Sequence, residues 1–294
     1  MVHAMSDRLH VFLFENLAIR GALVQLDETW REIRALRNYP PVLKSLLGES
    51  VVATALLSST IKRSDGTLLM QMQGRGPVSL LVAECSSEYG LRCTARWTGA
   101  IARVPLKDLF GDGRCAITLG TGSGRPLYQG IVPLESLDLA AAIEDYMRRS
   151  EQLETRIWLF ADDAAASGLL LQRIPEGVCA DPDAFNRIAL LSATVTPREL
   201  HSLSAPALLR RLFPEDDVRL FGGRPLHFAC TCTRERVGTM LEMLGQVEVS
   251  KVVAERGQVD VTCEYCNRAY TFSAEQCGQL FASPPAAANS RQKH

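Results

Sequence analysis

Four cysteines constrain this chain more than any other feature. Cys230 and Cys232 form a C-x-C pair, and Cys263 and Cys266 form a C-x-x-C pair beyond the stretch from Thr233 to Thr262. Two close pairs far apart in sequence suit a tetrahedral ion: each supplies two sulfurs at about 2.3 Å, and the intervening chain folds back to bring the pairs together. An all-sulfur donor set selects zinc or iron–sulfur chemistry over hard cations. One zinc ion per chain is expected, and His227, the possible competing ligand, is expected to be structural because four sulfurs are available.

The flanking sequence supplies a scaffold. VDVTCEYCNRAYTF reads as strand, knuckle, strand, with Val259, Val261, Tyr270 and Phe272 as packing residues. Downstream of Cys232 the spacing predicts a helix over Arg234 to Leu244, with Val237, Met240, Leu241 and Leu244 on one face and Gly245 ending it. Its positive end, with Arg234 and Arg236 nearby, should favour thiolates. The chain has nine cysteines, an odd number, and no secretory h-region at its start, which argues against a static disulfide framework. Cys85, Cys93, Cys115, Cys179 and Cys277 are therefore read as small buried hydrophobes.

The expected fold class is α+β. Residues 1–178 form an N-terminal domain with a mainly antiparallel sheet and packed helices, and 179–225 a helical connector. Residues 226–281 form a small zinc-binding α+β module, and 282–294 a disordered tail. Strands are predicted at Leu17–Leu23, Thr67–Gln73, Val78–Glu84 with Arg92–Trp97, Cys115–Leu119, Leu127–Val132, Ile157–Phe160 and Leu169–Ile174. Helical spacing runs over Thr29–Leu36 and over Pro41–Ile61, the latter interrupted by Gly48, and Ser136 can cap a helix from Leu137 to Arg149. Pro182, Pro197, Pro206 and Pro214 break the connector into short helices. Ile188, Leu191 and Val195 share one connector face, and Leu208, Leu209 and Leu212 mark another. Both must dock or stand exposed as a binding surface.

Several function classes are disfavoured. The net charge of −1 gives no footprint for a polyanion. Within Leu226–Phe281, five Lys and Arg face seven Asp and Glu, the wrong sign for a zinc ribbon on nucleic acid, which is the alternative reading. Val11–Phe14 is too short for a membrane span, and a cytoplasmic protein without a membrane partner is expected. The C-x-x-C lies between strands rather than at a helix start, against a thiol oxidoreductase. QGRGP (Gln73–Pro77) and GTGSGR (Gly120–Arg125) read as hairpin turns rather than phosphate loops, and Ser150, Glu151 and Gln152 lack a matching base. No catalytic residue and no enzymatic activity are expected.

A module of this size has a core worth about 3–5 kcal/mol, against about 10–16 kcal/mol of folding energy from structural zinc. Oxidising the thiolates would therefore unfold it. Cys230 can then pair locally with Cys232, and Cys263 with Cys266, although the C-x-C ring should be strained and easily reduced.

The chain resembles the heat-shock protein 33 family of redox-regulated holdase chaperones. FACTCTRER resembles its C-x-C motif, with Thr233 where serine is common, and CEYC its C-x-x-C motif, with Tyr265 where phenylalanine is frequent. The likeness continues through IRGALVQLDET, NYPPVLKSLLGE, LLMQMQGRGPVSLLVAE, YQGIVPL, RRSEQLETRIWL and LLRRLFPEDDVRLF, nearly the whole chain except its ends. It implies a reduced state in which zinc on Cys230, Cys232, Cys263 and Cys266 keeps the module folded and the connector docked. Peroxide or hypochlorous acid would oxidise the two pairs and release the ion. It further implies capture of unfolding client proteins without nucleotide, homodimerisation on oxidation, and hand-over to ATP-dependent chaperones. Client contacts would lie on apolar surfaces of the connector and N-terminal domain, with no individual residue assigned.

Overall fold

The computed structural model describes residues 7–60, 66–121, 126–175, 181 and 183–282. Cys179, Pro182, most of the GTGSGR turn and nearly all of the expected tail lie outside them. Two compact units result, Met1–Ala229 and Cys230–His294.

The first unit begins β1 (Arg8–Phe14), β2 (Ile19–Leu26), α1 (Glu28–Ala35), α2 (Pro41–Ser58), β3 (Gly66–Gln73), β4 (Val78–Cys85) and β5 (Gly90–Trp97). It continues α3 (Leu106–Phe110), β6 (Arg114–Thr121), β7 (Pro126–Pro133), α4 (Leu139–Arg149), β8 (Thr155–Ala161) and β9 (Ala166–Arg173). The connector follows as α5 (Ala184–Ser192), α6 (Pro197–Ser202), α7 (Ala205–Leu212), β10 (Val218–Leu220), β11 (Arg224–Pro225) and β12 (His227–Phe228). One sheet runs β10-β1-β2-β9-β8, with β11 also on β1; the other runs β12-β5-β4-β3-β6-β7. Every pairing is antiparallel except β12 on β5. The expected α+β class with a mainly antiparallel sheet is borne out.

The helix α2 lies between the sheets, against β2, β8 and β9 of the first and β3, β4 and β5 of the second. A helix walled on all sides needs apolar residues all round, and α2 buries residues on every face, from Leu43 through Val51 and Val52 to Leu57. By length and hydropathy it could cross a membrane, but 72% of it is buried inside this unit, which makes it a core helix. Gly48, expected as an interruption, lies mid-helix. A Cβ there would fall 2.6 Å from Ala161 Cβ and 3.1 Å from Trp30 Cζ2, so glycine serves the close approach of α2 to β8. Gly48→Ala is expected to cost about 1–3 kcal/mol by overpacking, read as a lower urea midpoint at unchanged slope.

The first sheet is covered on both faces, and the two-residue period of its strands sorts side chains between them. Leu9, Ala22, Val24, Leu26 and Leu170 enter the core shared with α2 and the second sheet. Phe12, Phe14, Ile19, Leu23, Leu169 and Leu171 enter a separate core with Phe185 and Ile188 of α5, Leu200 of α6 and Leu208, Leu209 and Leu212 of α7. The connector is thus docked. Two of its prolines start helices rather than merely break them: Pro197 is the first residue of α6 and Pro206 lies in the first turn of α7. Thr196 and Glu199 close a capping box on α6.

Other expectations shift. Asp138, not Ser136, caps α4, its carboxylate accepting from the Ala141 N–H at 2.8 Å. Val195 lies beyond the end of α5, though still buried in the connector core. The units divide after Ala229 rather than at Leu226, because Leu226 is buried in the main core and His227–Phe228 pair with β5.

Candidate metal centre

The second unit holds α8 (Arg234–Leu244), α9 (Gln246–Arg256), β13 (Gln258–Thr262), β14 (Ala269–Ser273) and α10 (Ala274–Ala282). The α8 bounds match the expected ones, and Gly245 ends the helix at φ +93°. Only part of the expected face is inward: Val237 and Leu241 are buried, whereas Met240 and Leu244 are exposed. The unit's core buries Val237, Leu241, Val249, Val259, Tyr270, Phe272 and Cys277. So small a core makes cross-linking at the cysteines valuable to the fold.

Each cysteine pair sits where backbone geometry fixes it. Cys230 and Cys232 precede α8, whose N-cap Thr233 accepts from the Arg236 N–H. Arg236 also donates to the Thr231 carbonyl at 2.9 Å, pinning the C-x-C turn from within. Arg234, expected near the thiolates, instead lies 4.2 Å over the Phe272 ring and donates to the Thr271 carbonyl and Gln276. Cys263 and Cys266 occupy the turn between β13 and β14, closed by Cys263 N–H to Arg268 O and Asn267 N–H to Cys263 O, both 2.9 Å. Asn267 takes the left-handed conformation, φ +59°, that such a turn requires.

The four sulfurs lie within 4.8 Å of one another. Cys230 Sγ is 3.7 Å from Cys263 Sγ, and Cys232 Sγ is 3.2 Å from Cys266 Sγ. Sulfurs at about 2.3 Å from one tetrahedral ion would stand about 3.8 Å apart, whereas a disulfide would bring two to about 2.05 Å. The sulfurs are free thiols arranged so that they could hold a metal ion.

Their proton affinities diverge. Burial raises the Cys232 thiol, but hydrogen bonding from the Tyr270 hydroxyl and the neighbouring thiols outweighs it and brings the group down to about 7. Burial pushes Cys266 up to about 12, opposed by the Arg268 backbone and reinforced by the neighbouring thiols, and burial also raises Cys230 against the Cys232 backbone. Four thiolates this close repel one another, and a dication relieves that repulsion. Tyr270, expected only as a packing residue, has a second role: its hydroxyl lies 3.2 Å from Cys232 Sγ and 3.0 Å from Cys232 O. Strand alternation put its ring inside; no sequence signal marked the hydroxyl.

Elsewhere Cys85, Cys93, Cys115 and Cys277 are buried, as expected of inert thiols. Burial raises Cys93 and Cys115 to about 12.

A family model described as Hsp33 protein matches residues 7–273. The chain is 45% identical over 280 residues to the 33 kDa chaperonin of Methylobacillus flagellatus, covering 95% of this chain and 96% of that one. It is 45% identical over 288 residues to the 33 kDa chaperonin of Nitrosococcus oceani, covering 98% and 99%. The crystal structure of the 33 kDa chaperonin of Thermotoga maritima shares the fold, with a TM-score of 0.77 at 22% identity, over 94% of this chain and 98% of that one.

Proposed function

This chain belongs to the Hsp33 family, and from that premise we propose a redox-regulated, ATP-independent holdase whose switch is the four-sulfur cluster. The cluster carries the reading, because its donor set and spacing suit one zinc ion held by Cys230, Cys232, Cys263 and Cys266. Bound there, zinc would neutralise the thiolates and cross-link the strand pair to the segment before α8.

Peroxide takes two electrons from two thiolates. One S–S bond forms, the O–O bond breaks, and the oxygens leave as two waters once protonated. We assign the disulfides to Cys230 with Cys232 and to Cys263 with Cys266. In a tetrahedral cluster all six sulfur pairs stand at similar distances, so resting geometry does not choose among them. Sequence separation does: as the unit loses order, local partners stay close while Cys230 and Cys263 diverge.

Disorder starting at Cys230 adjoins β11 and β12, the last strands of the connector. We infer that α5–α7 then leave the first sheet and uncover Phe12, Phe14, Leu169 and Leu171 together with their own apolar faces, which capture unfolding proteins. Homodimerisation on oxidation, hand-over to ATP-dependent chaperones on return to reducing conditions, and a cytoplasmic location complete the proposal.

The test is peroxide with mild heat on the reduced, zinc-loaded protein. Expected are release of one zinc per chain, loss of four reactive thiols with the buried ones spared, and suppressed aggregation of a denatured client without ATP. Peptide mapping should find the two local disulfides. Full holdase activity with the zinc still bound would refute the switch.

A further inference from the structure

Two histidines stand between the connector and the first sheet. His201, on α6, meets Ser167 of β9, with Nδ1 2.8 Å from the Ser167 hydroxyl. The contact resembles the serine–histidine–carboxylate arrangement of hydrolases, since His201 Nε2 lies 3.9 Å from Asp162. Ser167, however, is 0% exposed, so no substrate reaches its oxygen. Next to it, Gln25 of β2 donates to the Leu200 and Leu203 carbonyls, so α6 is held to the sheet by a short row of polar contacts.

His10, on β1, shares the connector-facing side with Phe12 and Phe14 and is 3% exposed. The chain between β10 and β11 closes over it. A Cβ at Gly223 would fall 2.4 Å from His10 Cε1, so the ring lies directly beneath that glycine. Its Nδ1 is buried without a hydrogen-bond partner, which neutral imidazole tolerates better than imidazolium.

We propose that His10 and His201 form an acid-sensitive clasp, and that protonating both rings releases the connector from the first sheet with the cysteines still reduced. Burial lowers the proton affinity of His10; the Phe221 backbone opposes this and Arg8 reinforces it. Across the strand pair, β2 presents uncharged Leu23. Burial likewise lowers His201, with Asp162 pulling the other way. Asp162 is 59% exposed, is held by the Ala164 and Ala165 N–H groups, and is also acted on by Arg34. On α6 itself Arg198 is exposed, and Glu199 is engaged by Thr196 and by Arg211 of α7.

The undocked state therefore binds more protons than the docked one. Docking holds its full strength above 6.5, the ordinary histidine value, and weakens as pH falls below it. At pH 5.5 the loss reaches at most about tenfold per ring and about a hundredfold for both. The device is independent of the sulfurs; only its consequence for clients rests on the holdase reading.

The test uses the reduced, zinc-loaded full chain between pH 7.5 and 5.5, with an apolar dye and trypsin cleavage at Arg198 reporting docking and bound zinc counted in each sample. Wild type should gain dye fluorescence and cleavage with its zinc retained. The His10→Phe/His201→Gln variant, compared at each pH, should lose that dependence. A flat wild-type profile, an unchanged slope in the variant, or gains confined to zinc-free protein would overturn the clasp. Should the variant misfold, NMR titration of the wild-type imidazole protons decides: both rings titrating below 6.5 supports the proposal, and either at or above it overturns it. A separate aggregation assay distinguishes the readings, since undocking without client capture would count against the holdase and leave the clasp intact.

Discussion

Replacing Cys263 and Cys266 together by serine is expected to remove the ion from the second unit and, with it, the fold of that unit. Its described core contains few large side chains, chiefly Leu241, Tyr270 and Phe272. A core of that scale supplies about 3–5 kcal/mol, whereas a structural zinc supplies about 10–16 kcal/mol. Serine hydroxyls do not replace thiolates on a soft-donor site. The measurement is an amide NMR spectrum with zinc quantification: resonances of β13, β14 and α8 should collapse while those of the α2 core persist. The variant should also hold clients equally well before and after peroxide. A second unit that stays folded without metal would refute the zinc-dependent module, and activity that still follows the oxidant would refute the trigger.

Phe185→Ala is expected to give a chaperone that works while reduced and zinc-loaded. Phe185 is 1% exposed in the connector core, with the Arg173 guanidinium 5.2 Å from its ring. Truncating a buried phenylalanine costs about 3–5 kcal/mol. Here that cost falls on docking, because α5, α6 and α7 span 9, 6 and 8 residues and helices so short do not persist alone in water. Client aggregation should be suppressed without oxidant, and zinc should remain bound. Phe185→Leu, which keeps most of the volume, should restore the reduced protein to its resting behaviour. An alanine variant still silent in the reduced state would place the client surface elsewhere.

What the sequence disclosed depended on the range of the interaction. The thiol site was legible because ligand spacing is a local property, and the bounds of α8 were legible because Thr233 and Gly245 mark them. The strands from β3 to β9, and the pair β13 and β14, were legible through alternation and turn residues, whereas β10 and β11 lie in a connector read as helical and β12 just beyond it. The strand β1 was not, since its apolar stretch looked merely too short for a membrane; its role emerges only once β10 and β11 pair with it. The helix α9 was also missed, because its apolar residues are the β-branched Val247, Val249, Val252 and Val253, which carry a weak helical signal. Gly48 read as a break because sequence alone did not show Ala161 and Trp30 pressing against it. At Tyr270 the ring was foreseeable, whereas the sulfur beside its hydroxyl required the folded strand pair.

The pairing of β1 with β10 and β11 also bears on synthesis. Arg8 is matched with Pro225 and Phe14 with Val218, so the opening strand waits for partners encoded near the other end of the chain. At about 5–20 residues per second, a ribosome takes on the order of 10–40 s to cover that distance. For that interval Phe12 and Phe14 lack both their outer strand and the helices that will cover them. A nascent chain in this state presents the kind of surface that other chaperones bind, so the protein's own biogenesis should depend on them most when translation is slow.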